Sequence, residues 1–131
     1  MKFLIILIFA LSTLLSNAQT QAEMNIAAID SYHKTDKQLN DIYKQILVKY
    51  KSDTIFIKNL KASQRIWITF RDAELKMKFP EKDEGFYGSI HPVCVAGYLE
   101  KLTRQRILTL SAWIDGHIEG DACNGSIKNN D

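Results

Sequence analysis

Residues 21–51 contain neither glycine nor proline. Along them Met24, Ala28, Tyr32, Leu39, Ile42, Tyr43, Ile46 and Tyr50 recur at steps of three and four. That spacing lays the apolar side chains along one face of an α-helix and excludes a strand, which would alternate every second residue. A single amphipathic helix of this length cannot bury its face alone, so the rest of the chain must supply partners.

Two further stripes do so. Phe56, Leu60, Ser63, Trp67, Phe70 and Met77, flanked by Ile57, Gln64 and Ile68, make the second. Ser52 and Asp53 precede it as candidate caps. Pro80 ends it, because proline disfavours a helical residue before it and lacks an amide donor. After a loop over residues 78–88, Ser89 is the expected cap of a third helix and Pro92 fits its first turn. Its stripe is Val95, Tyr98, Leu99, Leu102, Arg106, Thr109, Leu110 and Trp113, and Gly116 stops it. No period-two segment competes. The expected class is all-α: a small antiparallel bundle of three long helices, with the first two as hairpin neighbours.

The two ends of the chain read differently. Residues 1–18 have the layout of a secretory signal. Lys2 is the basic start, Phe3 to Leu15 carry no charge, and Ser16 and Ala18 are small residues before a cut at Gln19. The uncharged run falls short of the roughly 20 residues a membrane span needs. No cysteine near the cut offers a lipid anchor. The expected division is therefore a signal over 1–18, a helical domain over 19–116 and an irregular tail over 117–131, with a periplasmic or secreted location. The last six residues are expected to be mobile.

Charge and cysteine content exclude other classes. Seventeen basic and fifteen acidic residues give a net +2, and loss of Lys2 brings this to +1. A dedicated nucleic-acid binder would carry a basic stripe. Two cysteines cannot build a four-cysteine zinc site or a cystine-dense miniprotein. In an oxidising compartment Cys94 and Cys123 are expected to pair, closing a loop worth roughly 3.6 kcal/mol in the chain-entropy model. The distance is demanding: an unbroken third helix is about 30 Å long, so the tail would have to run straight back along it. Unpaired thiols or a bond between chains are the alternatives.

Several residues invite a functional reading. His91 and Cys94 lack the further ligands of a metal site, and a reactive thiol would oxidise, so an exposed histidine at a helix start is expected. No metal and no cofactor are implied. Arg71, Asp72, Thr103 and Arg106 are polar groups on amphipathic helices. They are read as a structural hydrogen-bonded network that pins the helix register. Tyr32, Tyr43 and Tyr50 fall at core spacing. The Asn124-Gly125-Ser126 sequon is read as chance. The loop from Glu81 to Gly88 carries three acids and two adjacent aromatics between glycines. Either it is a solvated turn whose Phe86 packs on the bundle end, or it is a binding element. Asp115, Glu119 and Asp121 form a weaker acidic patch. No phosphate loop, serine elbow or HExxH pattern occurs, so no catalytic residue is assigned.

The ordered set of segments resembles a family. LKASQRIWITFRDAEL (Leu60–Leu75) is similar to the signature of the LprI-type lysozyme-inhibitor domain. TQAEMN (Thr20–Asn25), DKQLNDIYKQI (Asp36–Ile46), GSIHP (Gly88–Pro92) and LTRQRILTL (Leu102–Leu110) stand in the matching order. The resemblance implies a bacterial envelope protein without catalysis of its own, whose partner is a lysozyme-like muramidase. Glu84, Phe86 and Tyr87 are the expected anchors of a loop that occludes the muramidase cleft. A structural envelope protein that binds peptidoglycan is the alternative. Relatives often carry cysteines where Ile26, Leu75 and Tyr98 stand here. The resemblance thus implies that Leu75 faces Tyr98, which would set Trp67 beside Arg106 and Leu60 beside Trp113.

Overall fold

The computed structural model describes the backbone of residues 2–117 and 122–129, and side chains from Thr20 onward. Three helices make the fold: α1 (Lys2–Lys49), α2 (Thr54–Lys78) and α3 (His91–Asp115). A 3-10 turn follows at Ala122–Asn124. No strand occurs among the described residues, and none of the described helices is long and apolar enough to cross a membrane. The leader expected over 1–18 lies outside the described side chains. Glu119 and Asp121 of the second acidic patch lie outside the described residues.

The helix ends follow local chemistry. The Asp53 carboxylate accepts the Phe56 amide at 2.9 Å and caps α2. Gly116 ends α3 with φ 73°. At the start of α3 the expected Ser89 cap gives way to Ile90, which makes no side-chain cap bond. Pro92, in the first turn, has no amide there to satisfy.

The core lies toward the α1–α2 turn. Leu39, Ile46, Tyr50, Leu60 and Leu110 are buried together, with Ile46 fully so, and Phe56, Trp67 and Trp113 pack against them. α2 runs antiparallel to the other two. α1 and α3 run side by side in one direction: Lys49 Nζ reaches the Ile114 carbonyl at one end, and Asn25 Nδ2 the Ser89 carbonyl at the other.

The closest packing is between α1 and α3, not between the hairpin neighbours α1 and α2. Small residues explain this. Thr35 on α1 and Thr103 on α3 are both buried. Each spends its hydroxyl on its own helix, on the Ser31 and Leu99 carbonyls respectively. Neither hydroxyl is left without a partner where the helices approach.

α2 stands farther off, and this corrects its sequence stripe. Phe70 and Met77 are 50% and 69% exposed. Leu60, Gln64, Trp67 and Arg71 form the inward face instead, at steps of three and four. Each residue turns a helix by 100°, so Phe70 and Met77 have rotated out of a seam set by Leu60 and Trp67. The α2–α3 register agrees with the one implied by the resemblance. Arg106 lies 6.0 Å from the Trp67 ring, and Tyr98 reaches Glu74, next to Leu75.

The described part of the tail is docked rather than loose. The Lys128 amide donates to the Tyr50 hydroxyl at 2.9 Å, Trp113 Nε1 donates to Ser126 Oγ at 3.1 Å, and His117 bridges Asn129. The expected Cys94–Cys123 disulfide is not formed. Cys94 sits in the first turn of α3, whereas the docked tail holds residues 122–129 at the far end of that unbroken helix.

Candidate functional site

Residues 79–90 join α2 to α3 at the end of the bundle opposite the tail. Their course is set by two glycines. Gly85 and Gly88 have φ of +81° and +69°, a region that side chains disfavour. Two turns result: the Phe86 amide donates to the Asp83 carbonyl, and the Gly88 amide to the Gly85 carbonyl. The His91 amide then donates to the Gly88 carbonyl, joining the loop to α3.

The loop rests on an aromatic box. Tyr87 stacks on His91 with ring centres 4.4 Å apart and planes at 17°. Phe79 meets Tyr87, His91 and Tyr98 edge-on. The Tyr87 hydroxyl donates to the Pro80 carbonyl at 2.7 Å and closes the loop on itself. On the far side Tyr98 donates to Glu74 at 3.0 Å. That hydrogen bond, and then burial, hold the Tyr98 phenol above its ordinary value.

The three expected anchors therefore part company. Phe86 is 66% exposed, and its ring interactions among the described residues are with Tyr87 and the Lys82 ammonium of its own loop. Glu84 is exposed. Tyr87 is drawn inward as the piece that holds the loop to the bundle. The packing imagined for Phe86 is done by Tyr87. A cleft of about 450 Å³ opens between the loop and the box. The expectation of an exposed His91 is also corrected: the ring is sandwiched, and its Nε2 is buried without a hydrogen-bond partner.

The four residues of the expected network occupy three places. Arg71 clasps the neighbouring Asp72 through Nε and Nη2 at 2.9 and 2.8 Å. It also reaches α1 at Tyr32 and Asp36, at 3.4 and 3.8 Å. Burial holds the Tyr32 phenol above its ordinary value, and Arg71 partly offsets this. Arg106 on α3 donates to Gln64 and Ser63 on α2. Trp67 lies between the two guanidinium groups, 5.5 Å from Arg71 and 6.0 Å from Arg106. Thr103 belongs to the α1–α3 contact and joins neither arginine.

Sequence reasoning missed the stacking of His91, because nothing in GSIHP shows that the loop folds Tyr87 back over it. The Phe-Tyr pair between two glycines was the available signal. Among the described residues no group of three or more His, Cys, Asp or Glu side chains is placed to hold a metal.

Comparison with known proteins finds relatives of the chain. The family described as Lysozyme inhibitor LprI matches residues 15–110. An uncharacterized protein of Rhizobium meliloti is 30% identical over 104 residues, covering 71% of this chain and 73% of its own. No solved structure matches the chain.

Proposed function

The chain belongs to the LprI lysozyme-inhibitor family, and on that footing we propose that it is an exported, non-catalytic protein that blocks a lysozyme-like muramidase. The α2–α3 loop is the blocking element. One observation carries this reading: the loop is clasped onto the bundle while presenting an aromatic ring. Two glycine turns and the Tyr87 clasp fix its backbone, and Phe86 stands out from it. A rigid apolar anchor loses little freedom on binding, which favours affinity. Exposed acids at Glu81, Asp83 and Glu84 surround it. They suit a basic muramidase, whose approach they would steer and whose cleft Phe86 would enter. Glu84 and Phe86 are the contact residues, and Tyr87 positions them.

A turbidity assay tests the reading. The purified protein is added to animal-type, goose-type and bacterial muramidases acting on cell walls. At least one is expected to be inhibited at micromolar protein, with the effect lost in the Glu84→Ala, Phe86→Ala double variant. Absence of inhibition of all three classes removes the proposal. A pull-down on purified peptidoglycan separates it from a wall-binding role.

A further inference from the structure

A second concave site lies at the other end of the bundle. Because α2 stands off from α3, a groove of about 470 Å³ remains between them. That volume is within the roughly 300–1,000 Å³ range of small-molecule sites. Phe56, Leu60, Leu110 and Trp113 line its length. Ser126 of the docked tail stands at one end, held there by Trp113. Arg106 stands at the other. From Ile55 to Ser63 along α2 the groove runs about 12 Å at helical rise.

The chemistry at the Arg106 end is unbalanced. The guanidinium is half-buried and fixed in place by Gln64 and Ser63 at 3.1 and 3.0 Å, with Trp67 beneath it. Those neighbours are all neutral. Among the described residues no carboxylate pairs with Arg106, and burial alone lowers its pKa. Asp53, the one acid among the described residues that line the groove, is committed to capping α2. A desolvated charge without a counter-charge is costly, and a bound anion would relieve that cost. One fixed guanidinium suits one carboxylate, which it can grip through two N–H groups. The apolar length beyond it suits an unbranched hydrocarbon chain.

We propose that this groove binds a free medium-chain fatty acid, with the carboxylate on Arg106 and the chain along Leu60 and Phe56 toward Trp113. The site is separate from the α2–α3 loop, so it stands or falls independently of muramidase inhibition.

Calorimetric titration of the purified protein with decanoate, kept below its micelle concentration, tests the proposal. Decanol supplies the chain without the charge, and acetate the charge without the chain. The expected result is one site for decanoate, at least about tenfold tighter than for decanol, and no heat with acetate. R106Q should weaken decanoate by about tenfold or more, and R106K should retain part of the binding. T109E places a competing carboxylate three residues from Arg106 on the exposed face of α3, and should block decanoate in a protein that melts normally. Equal binding of decanol and decanoate, undiminished binding by T109E, or no decanoate binding at all would overturn the proposal. Muramidase inhibition, measured alongside, should be unchanged by T109E.

Discussion

Replacing Tyr87 and replacing Phe86 should have opposite consequences, although the two residues are adjacent and aromatic. Tyr87→Ala removes the hydrogen bond to Pro80, worth about 1 kcal/mol net. It also removes the stack on His91 and the edge contact with Phe79, at about 0.5–1.5 kcal/mol each. The sum is about 2–4 kcal/mol, which in a domain of this size lowers the melting temperature by roughly 10–20 °C. Tyr87→Phe keeps the ring and should lose only about 1 kcal/mol. Phe86→Ala strips a ring whose interactions among the described residues lie within its own loop, so stability should change by no more than about 0.5 kcal/mol. Its cost should appear in muramidase inhibition, where loss of a central aromatic anchor weakens binding by about 2 kcal/mol or more. Thermal and urea denaturation give the first quantity and the turbidity assay the second. A Phe86→Ala protein that melts like Tyr87→Ala would refute the division of labour. So would a Tyr87→Ala protein that melts like the parent.

Other outcomes follow from the fold. The Arg104 guanidinium, hydrogen-bonded to Glu100 on the same helix, holds that carboxyl below the ordinary value of 4.5, and the nearby Ser31 hydroxyl of α1 adds to this. A depressed carboxyl stabilises the fold above its unfolded pKa, and that contribution disappears as pH falls through the lower folded value. Acid denaturation followed by circular dichroism should therefore begin near pH 4.5 and steepen below it, and Glu100→Gln should flatten that limb. Tyr50→Phe removes the acceptor for the Lys128 amide; about 1 kcal/mol should be lost, and that amide should exchange with solvent faster. His91→Phe retains the stack and deletes a buried nitrogen that has no partner, so urea denaturation should find stability unchanged or raised. Intact mass of the non-reduced protein should equal that of the fully reduced chain, and a mass lower by two hydrogens with no dimer would contradict the path of the tail.

The fold was largely legible because three long periodic segments, Pro80 and the isolated glycines at 85, 88 and 116 leave few alternatives. What failed to read through was phase. On α2, Ser63, Phe70 and Met77 look as apolar or as well spaced as Gln64 and Arg71, yet the polar pair turns inward. Buried polar groups become favourable only once partners such as Tyr32 and Arg106 arrive from other helices, and no local pattern announces them. The close approach of α1 and α3 was hidden for a similar reason: Thr35 and Thr103 look like surface residues until their hydroxyls are satisfied on their own helices. At the loop, composition pointed to Glu84, Phe86 and Tyr87 together. Only the closure of Tyr87 onto Pro80 and His91 separates the residue that builds the loop from those it displays. The groove beside Arg106 had no sequence signature, because it is the space left when α2 stands away from α3.

Hydrogen–deuterium exchange of the protein alone and mixed with an inhibited muramidase addresses the binding surface itself. Amides of residues 81–88 should gain protection in the mixture, while α1 and the docked tail exchange as before. Protection elsewhere on the bundle, with the loop unchanged, would contradict the assignment of this loop as the element that meets the enzyme.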